Sequence, residues 1–285
     1  ATLFGGSSAL RLLCTVLLVY LVLTAFAKYF CYRVIFQPPR PRYTITNAIT
    51  RLPTADGAQI AVSFLPGSSN GFTLLYSHGN AEDLDCIMPR LHAFGRLGFG
   101  VCAYDYRGYG SSTGKPTEAN AYADASRVYD FLTNACGVPP HRIIAYGRSL
   151  GGAMAAHVAA RHETAGLILE SAFVSAFRVV TWIPIIPGDK FHTLDDLRHV
   201  RCPVLIMHGK RDGIVPFCHG RRLAAYAPEP KCTLWVPAAG HNNLAAVAGD
   251  TYDNALRAFA RLIAHTQTTM SACTAPTPPQ CARRE

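Results

Sequence analysis

Charge is the scarcest ingredient of this sequence. Only 16% of its 285 residues are Asp, Glu, Lys or Arg, against 49% hydrophobic, and the mean hydropathy is +0.14. A mostly disordered chain is excluded, because such chains combine low hydrophobicity with high net charge, and the balance leans past ordinary soluble proteins toward a membrane-attached one. Acidic residues are missing altogether from the first 55 positions, which hold six basic ones. The other 230 positions carry 21 basic and 18 acidic groups, so only +3 of the formal +9 falls there. That placement argues against a nucleic-acid-binding surface and for a basic collar beside a membrane segment. The ten cysteines contain no CxxC pair, which leaves neither a zinc site nor a dithiol motif. Several sit in apolar runs, such as Cys102 in GVCAY, and read as small buried thiols in a reducing compartment.

What is present begins with an apolar run. Leu12 to Ala27 is sixteen residues without a charge, and apolar residues continue through Tyr29, Phe30, Val34, Ile35 and Phe36 around Lys28 and Arg33. As a helix, sixteen residues reach roughly 24 Å, short of a ~30 Å hydrocarbon core unless Arg11 and Lys28 extend their side chains outward. A single membrane anchor over residues 1–36 is one expectation. A signal peptide is the other, with Arg11 as its charged start and Ala25-Phe26-Ala27 as a small-x-small cleavage pattern. For an anchor, Arg33, Arg40 and Arg42 behind the span outweigh Arg11 ahead of it and place the larger part in the cytoplasm. The absence of any Asn-x-Ser/Thr sequon agrees with that side.

Behind Pro38, Pro39 and Pro41, short apolar runs alternate with helical stretches in a βαβ rhythm, which predicts one α/β domain over residues 37–265. Strands are expected at Gln59 to Leu65, Phe72 to Ser77, Gly100 to Tyr104, Arg142 to Tyr146, Leu167 to Glu170, Val204 to His208 and Lys231 to Val236. Helices are expected at Asp85 to Arg96, Thr117 to Thr133, Leu150 to Arg161, Phe217 to Tyr226 and Gly249 to His265. Residues 266–285, rich in Thr and Pro, read as a disordered tail.

Gly147-Arg148-Ser149-Leu150-Gly151 fits G-x-S-x-G where a strand ending at Tyr146 meets an Ala-rich helix. A turn that sharp strains the serine backbone and tolerates only small residues two before and two after it. A serine hydroxyl is a weak nucleophile, so it needs an imidazole to take its proton and a carboxylate to orient that imidazole. Asp212, in His208-Gly209-Lys210-Arg211-Asp212, and His241, in Gly240-His241-Asn242, follow in the expected order, each in a loop just past a strand. Glu170, Asp195 and Asp196 stand as substitute acids. His157, His162 and His265 fall inside helices, and His78 shapes its own loop. The oxyanion donors are assigned to the N–H groups of Leu150 and of Asn80 in Ser77-His78-Gly79-Asn80. No metal or cofactor is expected: Gly114-Lys115 lacks the earlier glycine of a phosphate loop, and Thr113 replaces the last glycine of a dinucleotide fingerprint begun by Gly108-Tyr109-Gly110.

His78-Gly79-Asn80-Ala81, Asp105-Tyr106-Arg107-Gly108-Tyr109-Gly110, Gly147 to Gly152, His208 to Asp212 and Gly240-His241-Asn242 together resemble the membrane-anchored α/β-hydrolase-domain proteins. The similarity runs from Gln37 to Ala264 and points to the branch that includes depalmitoylating protein thioesterases and serine aminopeptidase-like relatives. The resemblance implies an α/β-hydrolase fold, with a mostly parallel sheet of about eight strands flanked by helices and a short cap after the sixth. It implies Ser149, Asp212 and His241 as triad, with Asp105 and Arg107 organising their turn. The expected activity is cleavage of acyl esters or thioesters at a membrane surface, with a peptidase and a non-catalytic binding protein as alternatives. The chain differs from the depalmitoylating branch in carrying only Cys14 and Cys31 near the apolar run, not a cysteine cluster. The cap segment contains Phe173, Val174, Phe177, Val179, Val180, Trp182, Ile183, Ile185 and Ile186, which are expected either to pack on the sheet or to line an acyl channel.

Overall fold

Runs of four to six apolar residues are too short to bury themselves as helices, and they pair into a sheet whose central strands are covered on both faces. The computed structural model describes residues 5–39, 43, 49–67, 69–181, 183 and 187–274. Its strands are β1 (Ile49–Pro53), β2 (Gln59–Leu65), β3 (Thr73–Ser77), β4 (Gly100–Tyr104), β5 (Ile143–Arg148), β6 (Gly166–Glu170), β7 (Val204–Gly209) and β8 (Lys231–Val236). They form one sheet in the order β1-β2-β4-β3-β5-β6-β7-β8. β1 and β2 run antiparallel at one edge, and all pairs from β4 onward are parallel. Every residue of β3, β4, β5, β6 and β7 is buried.

The helices are α1 (Gly5–Tyr29), α2 (Cys31–Ile35), α3 (Leu84–Arg96), α4 (Glu118–Asp130), α5 (Gly151–Arg161), α6 (Thr193–Leu197), α7 (Phe217–Tyr226), α8 (Leu244–Ala248) and α9 (Asp250–Thr274). α3, α8 and α9 bury their apolar sides on one face of the sheet, while α4 to α7 cover the other. Side-chain caps start two of them: Asp83 accepts from the N–H of Cys86, and Thr117 from that of Asn120. Both of those residues end the loops that leave the carboxyl edge of the sheet, so the caps help set the geometry of that edge.

Beyond small shifts at the ends of individual strands and helices, both ends of the expected domain differ from the sequence expectation. The last helix runs to Thr274 and does not stop near 265, so residues 266–274 are helical and not a disordered tail. Thr266, Thr268 and Thr269 return their hydroxyls to carbonyls four residues earlier, and Gln267 donates to the carbonyl of His141 at 2.7 Å. Residues 275–285 lie outside the described residues. At the other end the folded body starts before position 37, because Cys31 and Phe36 are each only 3% exposed. α1 holds an apolar stretch of twenty residues, Ser8–Ala27, with a mean hydropathy of 2.3, most of it exposed up to the buried Ala27 at its end. Twenty helical residues reach about 30 Å, the thickness of a bilayer core, where the charge-free run alone falls short. Arg40 and Arg42 lie outside the described residues.

Candidate active site

The elbow between β5 and α5 is as tight as the glycines require. A Cβ on Gly147 would lie 2.1 Å from the carbonyl oxygen of Gly151, and one on Gly151 would lie 2.0 Å from that of Ser77. Ser149 itself takes φ +51, a left-handed conformation that costs a non-glycine residue about 1–3 kcal/mol. Its N–H donates to the carbonyl of Glu170 at 2.8 Å, which ties the strained residue to β6.

The carboxyl ends of three strands bring the expected residues together. The loop after β7 supplies Asp212 and the loop after β8 supplies His241, whose Nδ1 stands 2.8 Å from Asp212 Oδ2 and whose Nε2 stands 2.9 Å from Ser149 Oγ. A carboxylate only accepts, so Nδ1 carries the proton and Nε2 presents its lone pair to the serine O–H. All three side chains are nearly buried. Asp212 Oδ1 accepts from the N–H groups of Ile214 and Val215 at 2.9 and 2.8 Å. Burial opposes its ionisation, but the His208 imidazole 3.4 Å away, the hydrogen bond from His241 and the Val215 N–H together hold its carboxyl well below the usual carboxylate range. Glu170, Asp195 and Asp196 are engaged elsewhere: Glu170 with Arg90, Asp195 with Arg198, Asp196 with Arg161 and His157.

The two assigned oxyanion donors lie on the turns after β5 and β3. Among the described residues neither the N–H of Leu150 nor that of Asn80 is spent on a protein acceptor. His78 is fully buried, its Nδ1 2.8 Å from the Gly79 carbonyl and its Nε2 3.5 Å from Asp105, so it shapes the loop as expected. Asp105 accepts from the N–H of Leu84, and Arg107 reaches Asp124 at 2.8 Å and Asp56 at 2.7 Å, holding the turn after β4.

Arg148, the variable position of the elbow motif, is a participant that the motif alone does not reveal. Its guanidinium donates to Glu82 at 2.6 Å, to Asn242 Oδ1 at 2.6 Å and to the His241 carbonyl at 3.2 Å. One side chain thus joins the elbow to the loop carrying Asn80 and the loop carrying His241. His208 is a second, with Nε2 donating to the Val215 carbonyl at 2.9 Å and standing 3.4 Å from Asp212. In the cap segment, Phe173 and Val174 pack into the core and Phe177 and Val179 are half-buried. Val180 and Ile183 are 82% and 64% exposed, and Trp182, Pro184, Ile185 and Ile186 lie outside the described residues.

An eight-stranded sheet of this order, with a G-x-S-x-G elbow after β5, defines an α/β-hydrolase. The Pyrococcus furiosus esterase Pf2001 superposes with a TM-score of 0.65 over 79% of this chain and 98% of its own, at 17% identity. Residues 70–186 match the family model described as serine aminopeptidase, S33. The α/β-hydrolase domain-containing protein aho-3 of Caenorhabditis elegans is 36% identical over 258 residues, covering 79% of this chain and 75% of that protein. Human α/β-hydrolase domain-containing protein 17B is 39% identical over 197 residues, 67% of this chain and 68% of its own. The chain belongs to this family of α/β-hydrolase domain-containing proteins, and it is a hydrolase.

Proposed function

We propose that this hydrolase is a serine enzyme that cleaves acyl esters or thioesters through an acyl-enzyme intermediate, working at a membrane surface. The observation that carries the reading is the relay from Ser149 through His241 to Asp212, at 2.9 and 2.8 Å, beside two unspent backbone N–H groups. The Ser149 hydroxyl attacks the substrate carbonyl while its proton passes to His241 Nε2. The carbonyl oxygen becomes an anion received by the N–H groups of Asn80 and Leu150. His241 then returns the proton to the leaving alkoxide or thiolate, and the acyl group stays on Ser149. Water repeats the sequence in reverse, with His241 taking its proton, and releases the carboxylic acid. Asp212 stays ionised and stabilises the imidazolium in both halves.

The apolar helix α1 supports attachment to a bilayer, and the arginines behind it favour a cytoplasmic catalytic domain. Exposed Val180 and Ile183, on the segment leaving the carboxyl end of β6, favour a hydrocarbon acyl group over a peptide. The match to a serine aminopeptidase model keeps small peptides as the second reading. Fluorophosphonate labelling of the full chain, with Ser149→Ala as control, tests the nucleophile: labelling and turnover are lost together in the variant, and turnover within tenfold of the parent would sink the assignment. A series of chromogenic acyl esters from C2 to C8 tests the substrate, with kcat/KM rising along the series, since each CH₂ removed from water contributes up to ~0.8 kcal/mol. A steady fall from acetyl upward, or faster cleavage of aminoacyl amides, favours the peptidase.

A further inference from the structure

We propose that Cys31 to Gln37, the link between the apolar helix and the catalytic body, is a positioning clamp on Asn80, so that the oxyanion site is complete only while this link is docked. The proposal rests on the serine-hydrolase reading above.

The Asn80 amide meets two backbone groups of the link, besides the adjoining Ala81 N–H, from which its Oδ1 accepts at 3.0 Å. The primary amide of Asn80 donates from Nδ2 to the carbonyl of Ile35 at 2.6 Å, and its Oδ1 accepts from the N–H of Gln37 at 2.9 Å. One side-chain amide therefore pairs with the carbonyl of one residue and the N–H of the residue two further on, as an adjoining strand would. Tyr109 closes the group, its hydroxyl donating to Asn80 Oδ1 at 2.6 Å and standing 3.1 Å from the Gln37 nitrogen. Between the two backbone groups lies Phe36, buried edge-on against Tyr109 and Phe191 at ring distances of 6.2 and 5.7 Å. Phe36 fixes where the link runs, and the link fixes Asn80.

The two oxyanion donors are held by different means. Leu150 follows the elbow, whose position Gly147 and Gly151 leave no room to change. Asn80 lies on an irregular turn followed by Ala81 at φ +59, a conformation that alanine holds only when its surroundings impose it. Its amide contacts to Ile35 and Gln37 are part of those surroundings, and they come from a segment far away in the chain. An oxyanion donor acts only if it is fixed before charge develops. Because it touches the reacting oxygen and no other part of the substrate, loosening it lowers kcat and leaves KM nearly unchanged. A membrane helix is thereby coupled to catalysis through one asparagine amide.

The test compares the full chain and its variants in detergent micelles, with a short chromogenic acyl ester. Gln37→Pro removes the donated N–H and sets a ring carbon in its place. The preceding Phe36 already has φ −96 and ψ 119, which proline allows. Asn80→Ala removes the amide but retains the backbone N–H. Each is expected to lower kcat about ten- to hundredfold, as for an ångström-scale misplacement of a catalytic group, with KM within about twofold. The double variant loses no more than Asn80→Ala alone, because the N–H that Gln37→Pro removes pairs with the amide that Asn80→Ala already lacks. Parent-like kcat in Gln37→Pro, losses that multiply in the double variant, or a fall confined to KM would overturn the clamp. If Gln37→Pro fails to fold, Asn80→Ala decides on the same kcat and KM criterion. Turnover retained by Ser149→Ala would instead overturn the hydrolase reading and leave the clamp without an oxyanion to serve, so the two failures are distinct.

Discussion

Glu170→Gln separates a structural carboxylate from a catalytic one. Glu170 is 1% exposed at the end of β6, immediately beside the elbow. Arg90 Nη1 reaches both of its oxygens, at 2.9 and 3.1 Å, Tyr252 donates to Oε2 at 2.8 Å, and Tyr146 donates to the same oxygen. Burial alone would raise the Glu170 pKa, but Arg90, Arg148 and the Tyr146 hydroxyl overcome it and hold the group at about 2, below its ordinary 4.5. At ~1.4 kcal/mol for each tenfold change in proton affinity, that displacement corresponds to about 3 kcal/mol of folding stability. This lies at the lower end of the 3–5 kcal/mol typical of a broken buried pair, consistent with the partial exposure of Arg90.

A carboxyl whose pKa falls on folding stabilises the protein above its unfolded value and loses that contribution as pH drops through the folded one. The Glu170 contribution is therefore complete above pH 4.5 and vanishes toward pH 2. Urea denaturation at intervals from pH 7 to 2 measures it, urea being preferred to guanidinium because it leaves ion pairs unscreened. The parent minus Glu170→Gln difference is expected near 3 kcal/mol at neutral pH, shrinking through the acid range. Turnover at pH 7 should stay within about tenfold of the parent, since the carboxylate on His241 is Asp212. A constant difference across the pH range refutes the electrostatic account, and a loss of activity near the ~10⁴ seen when a triad acid is neutralised transfers the catalytic role to Glu170.

Asp212→Asn is expected to lower kcat by about 10⁴ with the fold intact by circular dichroism, because its amide forces the wrong tautomer on His241. Gly151→Ala should yield no active folded protein, since its methyl would lie 2.0 Å from the Ser77 carbonyl oxygen; a soluble variant with parent activity contradicts the elbow geometry. Arg148→Ala is expected to destabilise the fold by about 3 kcal/mol in the same urea assay, as for a broken buried ion pair, and to reduce kcat more than KM by loosening both adjoining loops.

Most of the architecture could be read from the chain because its strands are uninterrupted apolar runs and its helices repeat at 3.6 residues. β1 carries no such signal, since only Leu52 of its five residues is buried and Pro53 ends it, leaving neither an apolar run nor an alternation. The five-residue helices α6 and α8 are too short to show a period. α9 outran its expected end because threonines with satisfied hydroxyls, not a proline or glycine, follow His265. The site divides in the same way. Ser149, Asp212 and His241 each sit beside a strand end in a distinctive local sequence, so short-range signals located them. The roles of Arg148, Glu82 and Asn242 depend on contacts between residues 66 and 94 positions apart, and no local pattern carries that information. The amide pairing of Asn80 with Ile35 and Gln37 spans more than forty residues and was equally invisible.

Two buried carboxylates stand at the carboxyl ends of β6 and β7 near Ser149, and what surrounds each decides what it can do. Glu170 faces Arg90 and Arg148, guanidinium groups that keep their charge throughout the physiological range. Its negative charge is therefore answered at every stage of a reaction, and no proton transfer nearby changes the balance. Asp212 faces two backbone N–H groups and the imidazoles of His208 and His241, none of them a permanent cation. On the proposed mechanism its charge gains a full partner only when His241 takes the serine proton. The stabilisation thus appears with the transition state, and only an interaction that strengthens there accelerates the reaction. Residue type and burial are nearly the same for both carboxylates. The permanence of the neighbouring charge makes one a structural anchor and leaves the other free to assist proton transfer.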